Sequence, residues 1–157
     1  MESVLLCVGK TDQGEIQQLI EQYSQRLKHY TKFSIQIVED IKNSKNLSEK
    51  LQKEKEGDAL QKQLKPGDRV ILLDEGGKQF SSLQFSEWMN KQMASGLKRL
   101  VFVVGGPYGF SPAIYALAQQ KISLSPMTFS HQMVRLFFVE QLYRGHTILK
   151  NEPYHHQ

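Results

Sequence analysis

The sequence predicts one α/β domain over residues 1–157, with a parallel sheet and helices on both of its faces. Three observations predict it. Short apolar runs alternate along the whole chain with segments of helical periodicity. The runs at residues 69–74 and 100–104 are almost uninterruptedly apolar, as strands buried on both faces require. No repeat, low-complexity stretch or linker divides the chain, and its length suits one core.

Each element has its own local reason. Residues 3–8 read as a first strand. Residues 12–30 read as a helix, with Ile16, Leu19, Ile20, Tyr23 and Leu27 on one face. Residues 34–39 alternate Ile35 and Ile37 with polar side chains, the pattern of an edge or half-buried strand. Residues 47–64 form a helix capped by Ser48, and Pro66-Gly67-Asp68 turns the chain into the strand at 69–74. Gly76-Gly77 is read as the end of that strand. Ser81 and Gln84 have capping-box spacing, and Phe85, Trp88, Met89 and Met93 follow as a core-facing stripe. After the fourth strand at 100–104, Pro112 opens a short helix to Gln120. A fifth strand is expected at 121–124. A final helix at 130–148, capped by Ser130, is apolar nearly all round through Met133, Val134, Leu136, Phe137, Phe138, Val139 and Leu142. One sheet cannot cover all of that surface, so a homodimer is expected.

Composition narrows the function. No apolar run approaches the ~20 residues of a membrane span. The N-terminus reads as a strand and not as a leader, and the lone Cys7 can form no internal disulfide, so a reducing cytoplasm is expected. No zinc spacing is present and no metal is expected. Net charge is +4, unevenly distributed. Residues 1–87 carry 13 Lys or Arg against 14 Asp or Glu, whereas residues 88–157 carry seven against only Glu140 and Glu152. A basic C-terminal half suits an anionic partner such as RNA.

Two loops follow strands in that half. One reads Gly105-Gly106-Pro107-Tyr108-Gly109. The other runs from Ser123 through Leu124, Ser125, Pro126, Met127, Thr128 and Phe129 to Ser130 and His131. Ligands in parallel sheets bind outside the carboxyl ends of strands. The first loop has neither dinucleotide-fingerprint nor P-loop spacing. The second mixes apolar walls with small polar groups, as a site for a flat heteroaromatic ring would. Four residues beyond His131 lies Arg135, and further on come Arg144 and the tail Glu152-Pro153-Tyr154-His155.

Taken together, these segments resemble the bacterial ribosomal RNA large subunit methyltransferase H family. The likeness is carried by Leu72-Leu73-Asp74 with Gly77-Lys78, Val103 to Gly109, Ser123 to Arg135, Glu140 to Arg144, and Glu152 to His155. Val8-Gly9-Lys10 and Lys53-Glu54-Lys55-Glu56-Gly57 add to it. The resemblance spans essentially the whole chain. It implies the SPOUT fold with a C-terminal trefoil knot, a homodimer, and S-adenosylmethionine as methyl donor. It implies methylation of N3 of a pseudouridine in 23S rRNA, read in an assembled ribosome. By motif position, Leu73, Gly105, Leu124, Ser125, Pro126, Met127, Thr128 and Phe129 would hold the cofactor. Family members often have lysine at the place of Pro126, proline at Ser130 and alanine at Gly145.

Methyl transfer to an imide nitrogen requires removal of its proton. A neutral histidine can serve as the base, and an arginine can stabilise charge on the flanking carbonyl oxygens. His131 with Arg135 is one arrangement; His155 from a partner's tail is the other and the preferred one, because His131 follows the cofactor loop and can be occupied in holding it, whereas a tail can close over a bound nucleotide. Arg135, Arg144, Tyr154 and His155 are the expected RNA contacts, with Arg144 also at ion-pair spacing from Glu140. Two other functions fit the same residues: methylation of transfer RNA, and a non-catalytic RNA- or nucleotide-binding module.

Overall fold

A computed structural model describes residues 1–12, 14–41 and 44–156 of the chain. Five parallel strands form one sheet in the order β2-β1-β4-β3-β5. The elements run β1 (Glu2–Val8), α1 (Gly14–Leu27), β2 (Lys32–Val38), a 3-10 turn (Ser44–Asn46), α2 (Glu49–Gln61), β3 (Arg69–Gln79), α3 (Ser82–Ala94), β4 (Arg99–Val104), α4 (Pro112–Leu117), β5 (Gln120–Ser123) and α5 (His131–Leu149). Gln13, where the first helix was expected to pass, and the terminal Gln157 lie outside the described residues.

Strand side chains alternate between two cores because successive residues point to opposite faces. Leu5 and Cys7 join α1, α3 and α5 on one face, through Ile20, Met89 and Phe138. Val4, Leu6 and Val8 join α2 and α4 on the other, through Leu60 and Ile114. β2 lies at the sheet edge, as its alternating pattern predicts. Caps form at Ser48, Ser81, Ser111 and Ser130, each side chain accepting from the backbone N–H three residues on. Cys7 is fully buried, and burial pushes its thiol up to about 11 against the opposing pull of Arg135, which leaves it an inert core group.

The glycines at 76 and 77 do not end β3. The strand runs on to Gln79, and β5 pairs with it twice: Leu73 and then Lys78 both lie opposite Ile122, with an irregularity between them. A Cβ at Gly77 would stand 2.6 Å from the backbone of Ile122. The glycine is therefore there for close backbone approach and not as a stop signal. Gly77→Ala is expected to cost about 2–3 kcal/mol in urea unfolding, the upper range for overpacking a fixed backbone contact. A cost below about 0.5 kcal/mol, typical of a bland surface change, would contradict this packing.

The last helix is not buried all round. Phe138, Val139 and Leu142 are buried, but Phe137 is exposed and tilts against the Phe129 ring at 4.9 Å. Beside this pair lies an apolar groove that also takes in Phe80, Phe85 and Leu124.

Candidate active site

The extended second half of β3 and the segments that follow β4 and β5 meet at one edge of the sheet and enclose an open cleft of about 720 Å³. That volume falls within the ~300–1,000 Å³ of small-molecule sites. Leu73, Gly105, Leu124, Ser125, Met127, Thr128 and Phe129 all line it. Pro126 alone of the expected cofactor residues is not among the lining groups.

Local chemistry shapes the two loops. The first turns back on itself: Gly109 N–H donates to Gly106 O at 3.1 Å, and Gly109 takes a positive φ of 79°. In the second, Ser125 Oγ accepts from Met127 N–H at 2.9 Å, and Ser123 Oγ donates to Ser125 O at 2.9 Å. Met127 stands out into solvent, 73% exposed. Apolar walls beside backbone N–H and C=O groups suit a heteroaromatic ring and its polar substituents. A Cβ at Gly105 would meet Gly109 O and the Phe110 ring, both at 3.1 Å. Gly105→Val is thus expected to distort the turn before it touches any ligand. Calorimetry should show loss of S-adenosylmethionine binding with the circular dichroism spectrum retained, and unchanged affinity would remove Gly105 from the site.

Three cleft residues, Asp74, Glu75 and Tyr115, are not among the expected site residues, although Asp74 lies in a segment that carries the family likeness. Tyr115 donates to Asp74 Oδ2 at 2.6 Å, and Asp74 Oδ1 accepts from Gly76 N–H at 2.8 Å. Burial, with that Asp74 contact added, pushes the Tyr115 phenol up to about 12. Glu75 Oε2 accepts from Thr128 Oγ1 at 3.0 Å and so ties the β3 extension to the second loop. Adjacent acids in a strand promise opposite directions, and only the extension of β3 past Leu73 brings both to the rim.

His131 opens α5 and lines the cleft. Burial lowers its pKa below 6.5, with Arg135 adding to the effect and Asp12 and Asp40 opposing it. A neutral imidazole at physiological pH follows. Arg135 does not reach the cleft. It is 2% exposed, and its guanidinium donates to Val8 O at 2.6 Å, Gly9 O at 2.9 Å and Thr11 Oγ1 at 3.2 Å. It fastens the end of β1 to α5, so in this chain it presents no guanidinium to a substrate.

The remaining candidates gather at the far end of α5. Arg144 Nε donates to Glu140 Oε1 at 3.1 Å, and its guanidinium lies 4.7 Å from the Tyr154 ring centroid and 3.2 Å from His155 Nδ1. Tyr154 donates to Glu140 Oε1 at 2.9 Å and packs edge-on against Tyr143. Tyr154 and His155 are therefore docked against α5 through these contacts. Thirteen residues of helix separate Arg144 from His131, about 20 Å at 1.5 Å per residue. One chain does not bring the two groups together.

Comparisons with known proteins show the family of the chain. The family model described as "Predicted SPOUT methyltransferase" matches residues 1–155. Ribosomal RNA large subunit methyltransferase H of Flavobacterium johnsoniae is 62% identical over the full length of both chains. The proteins of that name from Christiangramia forsetii and Parabacteroides distasonis are 61% and 59% identical, covering 98% and 100% of each chain. A Legionella pneumophila structure with bound SAM aligns with 90% of this chain and 65% of its own at 12% identity and a TM-score of 0.46. This chain belongs to the SPOUT methyltransferases and, within them, to the ribosomal RNA large subunit methyltransferase H family.

Proposed function

We propose that this protein transfers a methyl group from S-adenosylmethionine to N3 of a pseudouridine in large-subunit ribosomal RNA. One observation carries the reading: the family-matching residues of β3 and of the segments after β4 and β5 converge on one cleft of cofactor size. When bound, the sulfonium supplies an electrophilic methyl group. The chain's own residues do the rest. Backbone groups of the turn at 105–109 and the loop at 124–129 orient the donor, and Leu73, Leu124 and Phe129 exclude water from it. His131 accepts the imide proton, with its imidazole kept neutral by burial.

Arg144, Tyr154 and His155 are the RNA-facing group, and His155 is the alternative base. Two copies packed head to tail along α5 would bring this group of one chain to the cleft of the other. The exposed Phe137 and its groove offer the apolar surface for that pairing. Sedimentation at micromolar concentration should report about twice 18.1 kDa. A fully active monomer would contradict the composite site. The chain's passage from β5 into α5, beside the extended β3, is read as the family's threaded crossing. The substrate places the reaction in the bacterial cytoplasm, and among the described residues no helix is long and apolar enough to cross a membrane.

Tritiated methyl transfer to assembled ribosomes, isolated large subunits, naked rRNA and transfer RNA tests the substrate. Label is expected in large-subunit RNA, with assembled ribosomes the best acceptor. Label confined to transfer RNA, or none, would select one of the other two functions.

A further inference from the structure

Under the first loop lies a buried carboxyl that the methyl-transfer chemistry does not use. Glu56, on α2, is 4% exposed. Its Oε1 accepts from Gln52 Nε2 at 2.8 Å, while its Oε2 is buried with no hydrogen-bond partner. A Cβ at Gly106 would stand 2.5 Å from that Oε2 and 2.8 Å from Oε1. The carboxyl therefore occupies the space a side chain at 106 would need. Gly106 lines the cleft and Glu56 does not.

The next residue repeats the arrangement. A Cβ at Gly57 would meet Ser111 Oγ at 2.4 Å, and Ser111 is the buried N-cap of α4. Two successive residues of α2 thus press against both ends of the segment from 106 to 111. Burial pushes the Glu56 carboxyl up, Asp40 pushes the same way, and the Gln52 hydrogen bond works against them. A buried, unpaired carboxylate oxygen is costly, and a neutral acid in the same place costs less.

We propose that Glu56 is a positioning residue for the cofactor: its carboxyl braces Gly106 from below and holds the turn at 105–109 in binding shape before the cofactor arrives. The inference rests on the reading of the cleft as the S-adenosylmethionine site. Its physical content is preorganisation. A turn already held loses little freedom on binding, and a turn set loose must be ordered at the expense of affinity.

The test uses the full chain with Glu56→Ala and Glu56→Gln, the second being the near-isosteric uncharged replacement that keeps the bulk against Gly106. Glu56→Ala should weaken S-adenosylmethionine binding about tenfold by calorimetry. KM for the cofactor should rise with it, while kcat at saturating cofactor stays within about threefold. Glu56→Gln should recover most of that affinity. In ligand-free protein, amide exchange at residues 105–110 should quicken about tenfold in the alanine variant and not in the glutamine variant. A folded Glu56→Ala with wild-type affinity and wild-type exchange would overturn the proposal. So would a weakening that glutamine does not recover and that merely tracks a lower melting temperature. A second pair guards against misfolding: Gly106→Ala should bind poorly, and adding Glu56→Ala should relieve the clash and restore part of the affinity. A double variant no better than Gly106→Ala would also overturn the proposal. If the wild-type chain binds no S-adenosylmethionine, the reading of the cleft fails, and the ligand-free exchange measurement still decides whether Glu56 braces the turn.

Discussion

His131→Ala is expected to lower kcat about 100-fold or more while leaving cofactor affinity within about threefold, the signature of a missing general base. The pH profile supplies the sign. The base must be neutral to accept the imide proton, and burial lowers its pKa below 6.5. Activity in the wild type should therefore rise with pH through a value below 6.5 and then level off. It should fall only as acid protonates the ring, and His131→Ala should lose that acidic limb. The rival base sits in the docked tail, so deletion of residues 153–157 is the matched experiment. Full turnover in His131→Ala with loss on tail deletion would move the role to His155. Full turnover in both would leave the reaction without a protein base.

Arg135→Met should be a stability variant and not an RNA-binding variant. The guanidinium holds two backbone carbonyls at the end of β1, and its removal strands both in a buried place. Breaking such hydrogen bonds costs about 3 kcal/mol. In a domain of this size that lowers Tm by roughly 6–12 °C. Removing a cation that neutralises an RNA phosphate makes the salt dependence of RNA affinity shallower by about one unit. For Arg135 that slope should not change, whereas for the tail-side Arg144 it should. A shallower slope with unchanged Tm in Arg135→Met would return Arg135 to the RNA surface.

These two residues show what the sequence discloses and what it withholds. Strand and helix alternation made the parallel sheet legible, and the caps at Ser48, Ser81 and Ser130 were legible from spacing, because both are local. The two loops were legible as neighbours because strands of one parallel sheet end at one edge. Burial was not. Arg135 has the same spacing from His131 whether it faces a substrate or the underside of β1. Gly76-Gly77 looks like a stop because a glycine needed for close approach to Ile122 is chemically identical to a glycine that ends a strand. Asp74, Glu75 and Tyr115 meet only because β3 continues beyond the point where its apolar pattern stops. The packing of Glu56 against Gly106 joins residues 50 apart in the chain, and no periodicity reaches that far.

The most direct measurement is nucleoside mass spectrometry of ribosomal RNA. Ribosomes from a strain lacking the gene would be treated with this protein and S-adenosylmethionine, then digested and compared with untreated ribosomes. The proposed function predicts one new methylated pseudouridine in large-subunit RNA, with the methyl group on N3, formed by the wild type and not by Gly105→Val. A methyl group on any other atom or base, or none at all with the donor bound, would contradict it.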